Sequence, residues 1–241
     1  MEDNKFPENR MRENYLAGTY CEIAMESFYE ATQYSAKIEK NDYHASSITD
    51  YVFMERKVIT TIVFSAMCIE SFLNDYAATV LGDNEFYENF DKLSAFSKFQ
   101  LIAKFILKTE LKKSETYYGL MKALFKKRDT FVHNKSKQLI LPYTEEEFEK
   151  KQKELIESGK LFDFDDMQLC KKEEVSALIC DARDALRAIK SIAVFFDTHD
   201  KNVHAQYCLF GILGLLCGNA EEIRYKKTVF QLLDIKEPEI K

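Results

Sequence analysis

The chain has 241 residues, 46% of them hydrophobic, with a net charge of −6 and only seven Gly and three Pro. That length can bury a real core, and so few turn residues among recurring Leu, Ala, Lys and Glu point to an all-α protein forming a single domain over 1–241. The acidic balance argues against a general nucleic-acid binder. The six cysteines form no C-x-x-C pair or Cys/His cluster, which excludes a zinc framework and reads as small buried residues in a reducing, cytoplasmic setting.

The opening MEDNKFPENRMREN is polar and charged, unlike a signal peptide. A long helix is predicted from about Glu8 to Lys40, with Tyr20, Ile23, Ala24, Phe28, Ala31, Tyr34 and Ile38 at three- and four-residue steps. Asn41 and Asp42 break it, and His44 falls in the loop that follows. A second long helix runs from about Ser47 to Leu81 and stops at Gly82. Its second half, Ile59 to Val80, is apolar on nearly every side, which marks the central helix of a bundle. Glu70 and Asn74 lie one turn apart at the edge of that apolar face. They are placed either to hold a group on a neighbouring helix or to face solvent as border residues.

A short helix is predicted over 85–93. Another follows from a Ser94 cap to Thr109, burying Phe96, Phe99, Leu101, Ile102, Phe105 and Ile106. The next stretch, Ser114 to Lys137, reads as one amphipathic helix capped by Ser114. At about 100° per residue, Tyr117, Leu120, Met121, Leu124, Phe125, Phe131 and Val132 share one apolar arc, and Arg128 sits in its middle. A guanidinium cannot lose its charge, so an arginine there needs an anionic partner, a ligand or a second chain opposite it. Lys122, Lys126, Asp129 and His133 project from the other side. Asp129 and His133 are one turn apart, so the carboxylate is placed to orient the imidazole. Arg128 and His133 diverge by about 140°. A twofold pair of such helices would bring an arginine and a histidine from each chain into one cleft.

Beyond Lys137 the chain reads as an extended Gln138–Pro142, a capping box at Thr144–Glu147 opening a charged surface helix to about Glu157, and a solvated loop. Asp163, Asp165 and Asp166 in that loop lack the glycine and distal glutamate of a calcium site, so no metal is assigned. Amphipathic patterning returns over 171–198, with Val175, Leu178, Ile179, Ala182, Leu186, Ile189, Ile192, Ala193 and Phe196 on one side. His199 to Lys241 holds further helical segments. Its apolar run Tyr207–Cys217 is too short to cross a bilayer, so no membrane is expected.

Arg128-Asp-Thr-Phe-Val-His133 resembles the R-x4–6-H signature of the HEPN superfamily, all-α proteins many of which are metal-independent ribonucleases. The polar residue after the arginine, Asp129, fits that signature. The apolar helix 65–82 and the connecting helical segment 94–108 match the layout that precedes it. The resemblance implies a HEPN-like helical bundle of long antiparallel helices over about 10–198, with an inserted charged surface helix (about 138–171) and a C-terminal helical extension (199–241). It implies an endoribonuclease of toxin or antiviral-defence type that acts without a cofactor as a homodimer, with an antitoxin or defence-system protein as a candidate partner. Arg128, His133 and Asp129 would be catalytic, with Glu70, Asn74 and Asn134 supporting them. Lys122, Lys126, Lys127, Lys135 and Lys137 would bind RNA. Residues 98–137 carry eleven Lys/Arg against three acids, a local +8 that leaves −14 elsewhere, and a basic strip of this kind suits a polyanion. In one toxin subgroup a tyrosine two residues after the histidine accepts a nucleotide from the antitoxin; Lys135 stands there, which argues against control by that route. Three other readings stand beside this one: a non-catalytic helical interaction module bridged by Arg128, a nucleotide-binding protein without hydrolysis, and a plain structural ion pair at Arg128 with a surface His133.

Overall fold

A computed structural model describes residues 16–44, 47–133, 150, 153, 154, 157 and 171–200. Among these the architecture is all-α: α1 (Leu16–Lys40), α2 (Ile48–Leu81), α3 (Asp83–Asn89), α4 (Ala95–Leu101), α5 (Thr116–Val132) and α6 (Lys172–His199), with a π-helical turn at Ile102–Ile106. None of these helices is long and apolar enough to cross a membrane. Lys150, Lys153, Glu154 and Glu157, within the predicted charged helix, are helical and exposed. The predicted Gln138–Pro142 segment, the Asp163–Asp166 loop and everything past Asp200 lie outside the described residues.

α1 and α2 form an antiparallel hairpin whose turn holds two left-handed residues, Asp42 (φ 49°) and Tyr43 (φ 58°). That conformation strains a side-chain-bearing residue. It is stabilised here by Tyr43 N–H donating to Ile38 O at 3.0 Å and by burial of the Tyr43 ring. α2 is the central element, packed against α1, α3, α4, α5 and α6. Its apolar second half therefore buries residues all round: Ala66, Ile69, Phe72, Leu73, Tyr76 and Ala77 are each at most 1% exposed, and each of the large ones contributes about 1.5–3 kcal/mol. Gly82 ends α2 with φ 89° and donates its N–H to Ala78 O at 2.9 Å, a φ that a residue with a Cβ adopts only under strain.

An aromatic cluster joins four elements. Phe196 of α6 meets Phe72 edge-on at 4.7 Å and Tyr76 at 4.8 Å, both from α2. Its neighbour Phe195 meets Phe99 of α4 at 5.0 Å and Tyr117 of α5 at 4.9 Å. Edge-to-face pairs align the positive ring edge with the negative face, which adds about 0.5–1.5 kcal/mol per pair beyond burial. This cluster anchors the start of α5, and therefore the helix that carries Arg128.

Two local expectations are corrected. Ser94 caps α4 as expected, its Oγ accepting from Ser97 N–H at 3.1 Å. The helix does not run unbroken to Thr109, however. Leu107 N–H reaches back five residues to Ile102 O at 2.9 Å, and the left-handed Lys108 (φ 53°) ends the turn. The wider π turn shifts the helical phase, leaving Phe105 63% exposed where a straight helix would bury it. At the start of α5, Ser114 does not cap: Glu115 is the N-cap and makes no side-chain cap bond. The entry is held instead by the Tyr117 hydroxyl, which accepts from Lys112 N–H at 3.0 Å.

Candidate functional site

α5 lays Met121 and Leu124 into the core while Leu120, Phe125 and Phe131 pack at its edge. Arg128 continues that edge. Its side chain is 26% exposed and faces α2, where Glu70 Oε2 lies 4.0 Å from its NH1. The guanidinium carbon sits 5.3 Å from the Phe125 ring centroid, a cation–π placement that covers part of the charge. Arg128 Nε is 3.0 Å from Asp129 Oδ1. Nε nevertheless has no hydrogen-bond partner, so the N–H does not point at that oxygen and the contact is one of charge rather than a directed bond. Among the described residues no hydrogen bond engages the guanidinium. It is partly neutralised by two carboxylates and saturated by neither.

His133 closes α5 as its C-cap, with φ −112° and ψ 33° and its N–H bonded to Asp129 O at 3.0 Å. The residue is exposed. The expected Asp129–imidazole contact is absent among the described residues; the carboxylate is turned to Arg128 instead. The reason lies in the guanidinium's course. By lying over Phe125 it brings Nε beside the base of the next residue, and a permanent cation that close draws the carboxylate to itself. Arg128 and His133 are five residues apart, about 7.5 Å along the axis.

Of the predicted RNA-binding lysines, Lys122 and Lys126 are exposed and make no ion pair among the described residues. Lys127 is ion-paired with Asp181 of α6 and so ties the two helices together. Lys135, Lys137 and Asn134 lie outside the described residues. Of the supporting pair on α2, Glu70 faces Arg128. Asn74, one turn on, accepts a hydrogen bond from Lys98 Nζ at 2.7 Å.

Lys98 is the residue that the sequence reading passed over. It is only 2% exposed. Its ammonium lies 5.7 Å from the Phe86 ring centroid. Burial pushes its pKa below the ordinary 10.5, against the pull of Glu70 and Asp91, which favour the charged form. A signal was available. Ala95, Lys98 and Ile102 fall at three- and four-residue steps on one face of α4, the same spacing that placed Arg128 on the apolar side of α5.

A cavity of about 470 Å³ lies elsewhere, at the start of α5, between Thr116, Tyr117 and Leu120 and the α6 residues Val194, Phe195 and His199. Leu120 is about 12 Å along the helix from Arg128, so the cavity does not enclose the Arg128 group, which lies on open surface in a single chain. Among the described residues no cluster of three or more His, Cys, Asp or Glu is placed to hold a metal ion.

No family model, curated protein or solved structure matches the chain.

Proposed function

We propose that this chain is a metal-independent endoribonuclease of HEPN type, a toxin or defence effector that cleaves RNA at a composite site between two copies of the protein. The observation that carries the reading is Arg128: a permanent cation planted at the apolar edge of α5, close to two carboxylates yet hydrogen-bonded to neither, with an exposed His133 just beyond on the same helix. A guanidinium left with open N–H groups is suited to a phosphodiester, which it grips through two parallel N–H···O bonds. A histidine titrates near neutral pH and can take or give a proton.

In this mechanism His133 removes the proton from a ribose 2′-hydroxyl. The alkoxide attacks the adjacent phosphorus, and the twofold-related His133 protonates the leaving 5′-oxygen. The products are a 2′,3′-cyclic phosphate and a 5′-hydroxyl. Arg128 holds the phosphate and stabilises the charge that grows on its oxygens. Lys122 and Lys126, exposed on the outer side of α5, guide the strand, and Lys135 and Lys137, later in the sequence, add to its positive charge. Lys127 contributes less to this path while Asp181 holds it.

One observation favours a second reading. Because Asp129 turns to Arg128, His133 has no orienting carboxylate among the described residues. A non-catalytic helical module, with Arg128 bridging to another protein, has no need of one. Incubation of the purified protein with labelled RNA in excess chelator separates the two. The ribonuclease reading expects cutting that is lost in both Arg128→Ala and His133→Ala. A folded wild type that leaves diverse RNAs intact would refute it and leave the module.

A further inference from the structure

The central helix α2 carries a short polar row, Glu70 and Asn74, one turn apart on a helix whose second half is otherwise largely buried in apolar contacts. Two cations approach this row from different elements. Arg128 comes from α5, its NH1 4.0 Å from Glu70 Oε2. Lys98 comes from α4, its Nζ 2.7 Å from Asn74 Oδ1. The second of these is costly. A side chain that is 2% exposed has lost its hydration, and its only hydrogen bond among the described residues goes to a neutral amide, with one ring edge or face beside it. Methionine of similar length would fill the same space with no charge to bury. No carboxylate of the described residues lies within ion-pair distance of the ammonium. The carboxylates that favour its charge are Glu70 and Asp91.

Glu70 is thus attracted by two cations and closes fully on neither. Its carboxylate is 35% exposed and reaches Arg128 only at the outer limit of an ion pair. With the Lys98 charge removed, the attraction on Glu70 would come from Arg128 alone, and the low-cost response is for the flexible carboxylate to close into a two-point pair with the guanidinium. That pair would occupy the N–H groups a phosphodiester needs.

We propose that Lys98 is a positioning residue for the anion site, drawing on Glu70 from the α4 side so that the carboxylate does not close onto Arg128 and the guanidinium stays open to phosphate. The proposal rests on the reading that Arg128 receives a phosphodiester, and Lys98 itself touches no RNA.

The test uses the full chain and a fluorescent 2′-O-methyl oligoribonucleotide, which lacks the attacking hydroxyl and reports binding alone. Lys98→Met is expected to weaken binding about tenfold at fixed salt, a 1.4 kcal/mol effect. Adding Glu70→Gln to Lys98→Met is expected to restore it, because the neutral amide no longer competes for the guanidinium. Lys98→Gln, which keeps a donor for Asn74, separates lost charge from lost packing and should weaken binding like Lys98→Met. Thermal melts supply a readout that needs no RNA. Arg128→Ala should lower the melting temperature by roughly 2–4 °C more in the Lys98→Met background than in wild type, and this excess should vanish once Glu70→Gln is present. Wild-type affinity in Lys98→Met, or failure of Glu70→Gln to rescue it, would overturn the proposal. Additive melts would overturn it as well. If wild type binds no oligonucleotide but the melts are coupled through Glu70, the charge balance stands and the ribonuclease reading falls.

Discussion

Replacing Arg128 with alanine separates a functional cation from a structural one, because the two roles differ in size. The contacts it makes within the chain are weak ones: a misaligned approach to Asp129 at 3.0 Å, Glu70 at 4.0 Å, and a ring face at 5.3 Å, on a side chain that is 26% exposed beside carboxylates that are 57% and 35% exposed. Pairs this open to water are screened and contribute about 0–1 kcal/mol, and a partly exposed cation–π contact adds about 0.5–1 kcal/mol. Removal also relieves the cost of the unpartnered Nε. The net loss of stability is therefore about 1 kcal/mol, roughly 2–4 °C in melting temperature for a chain of this size. Loss of a donor that stabilises transition-state charge is larger, about 10²–10³ in rate. Arg128→Ala should thus melt within a few degrees of wild type, by circular dichroism, while cleaving RNA at least a hundredfold more slowly. A fall of more than about 10 °C would show that Arg128 is a structural ion-pair residue and would refute this reasoning.

Three further outcomes follow from the packing and the buried titratable groups. Phe196→Ala removes a fully buried ring that touches both Phe72 and Tyr76; it should cost about 3–5 kcal/mol in denaturant unfolding, and a cost below 1 kcal/mol would contradict the aromatic anchor. Lys98 has a lowered native-state pKa, so above that value the unfolded chain binds more protons than the folded one. Stability then gains from this group as pH rises from the lowered value towards the ordinary 10.5, and the gain is absent below it. Lys98→Met should flatten the rise relative to wild type in alkaline denaturation curves, and parallel curves would contradict the burial of the charge. Burial and the neighbouring Cys21 raise the Cys68 thiol well above its usual value, so native-state alkylation mapped by mass spectrometry should leave Cys68 unmodified until the α1–α2 hairpin opens; rapid labelling would contradict that packing.

Much of the framework could be read directly from residue spacing. α2 was recognisable as central because its second half is apolar on nearly every side, and it does pack against five other helices. Gly82 and Ser94 act at the positions their chemistry suggests, since a positive φ and an N-cap are local demands that local residues meet. The π turn at Ile102–Ile106 was not legible, because Phe105 and Ile106 continue the same apolar spacing whether or not the backbone widens. Ser114 fails as a cap because the Tyr117 hydroxyl, a partner set by folded geometry, fixes the entry to α5 one residue later. Arg128 was legible as a cation on an apolar face. The turn of Asp129 towards it was not, because ideal helical angles separate adjacent residues by about 100° and ignore how a long guanidinium folds back over Phe125. Lys98 satisfies the same spacing argument as Arg128, and its burial could have been inferred from Ala95 and Ile102 on either side.

Whether Arg128 and His133 cleave RNA without a metal is decided by the end groups of the fragments that the purified protein releases in excess chelator. Wild type should release 2′,3′-cyclic phosphate and 5′-hydroxyl ends, and Arg128→Ala and His133→Ala should release no fragments at equal protein concentration. Intact RNA from a folded wild type, or fragments with 5′-phosphate ends that persist in His133→Ala, would contradict it.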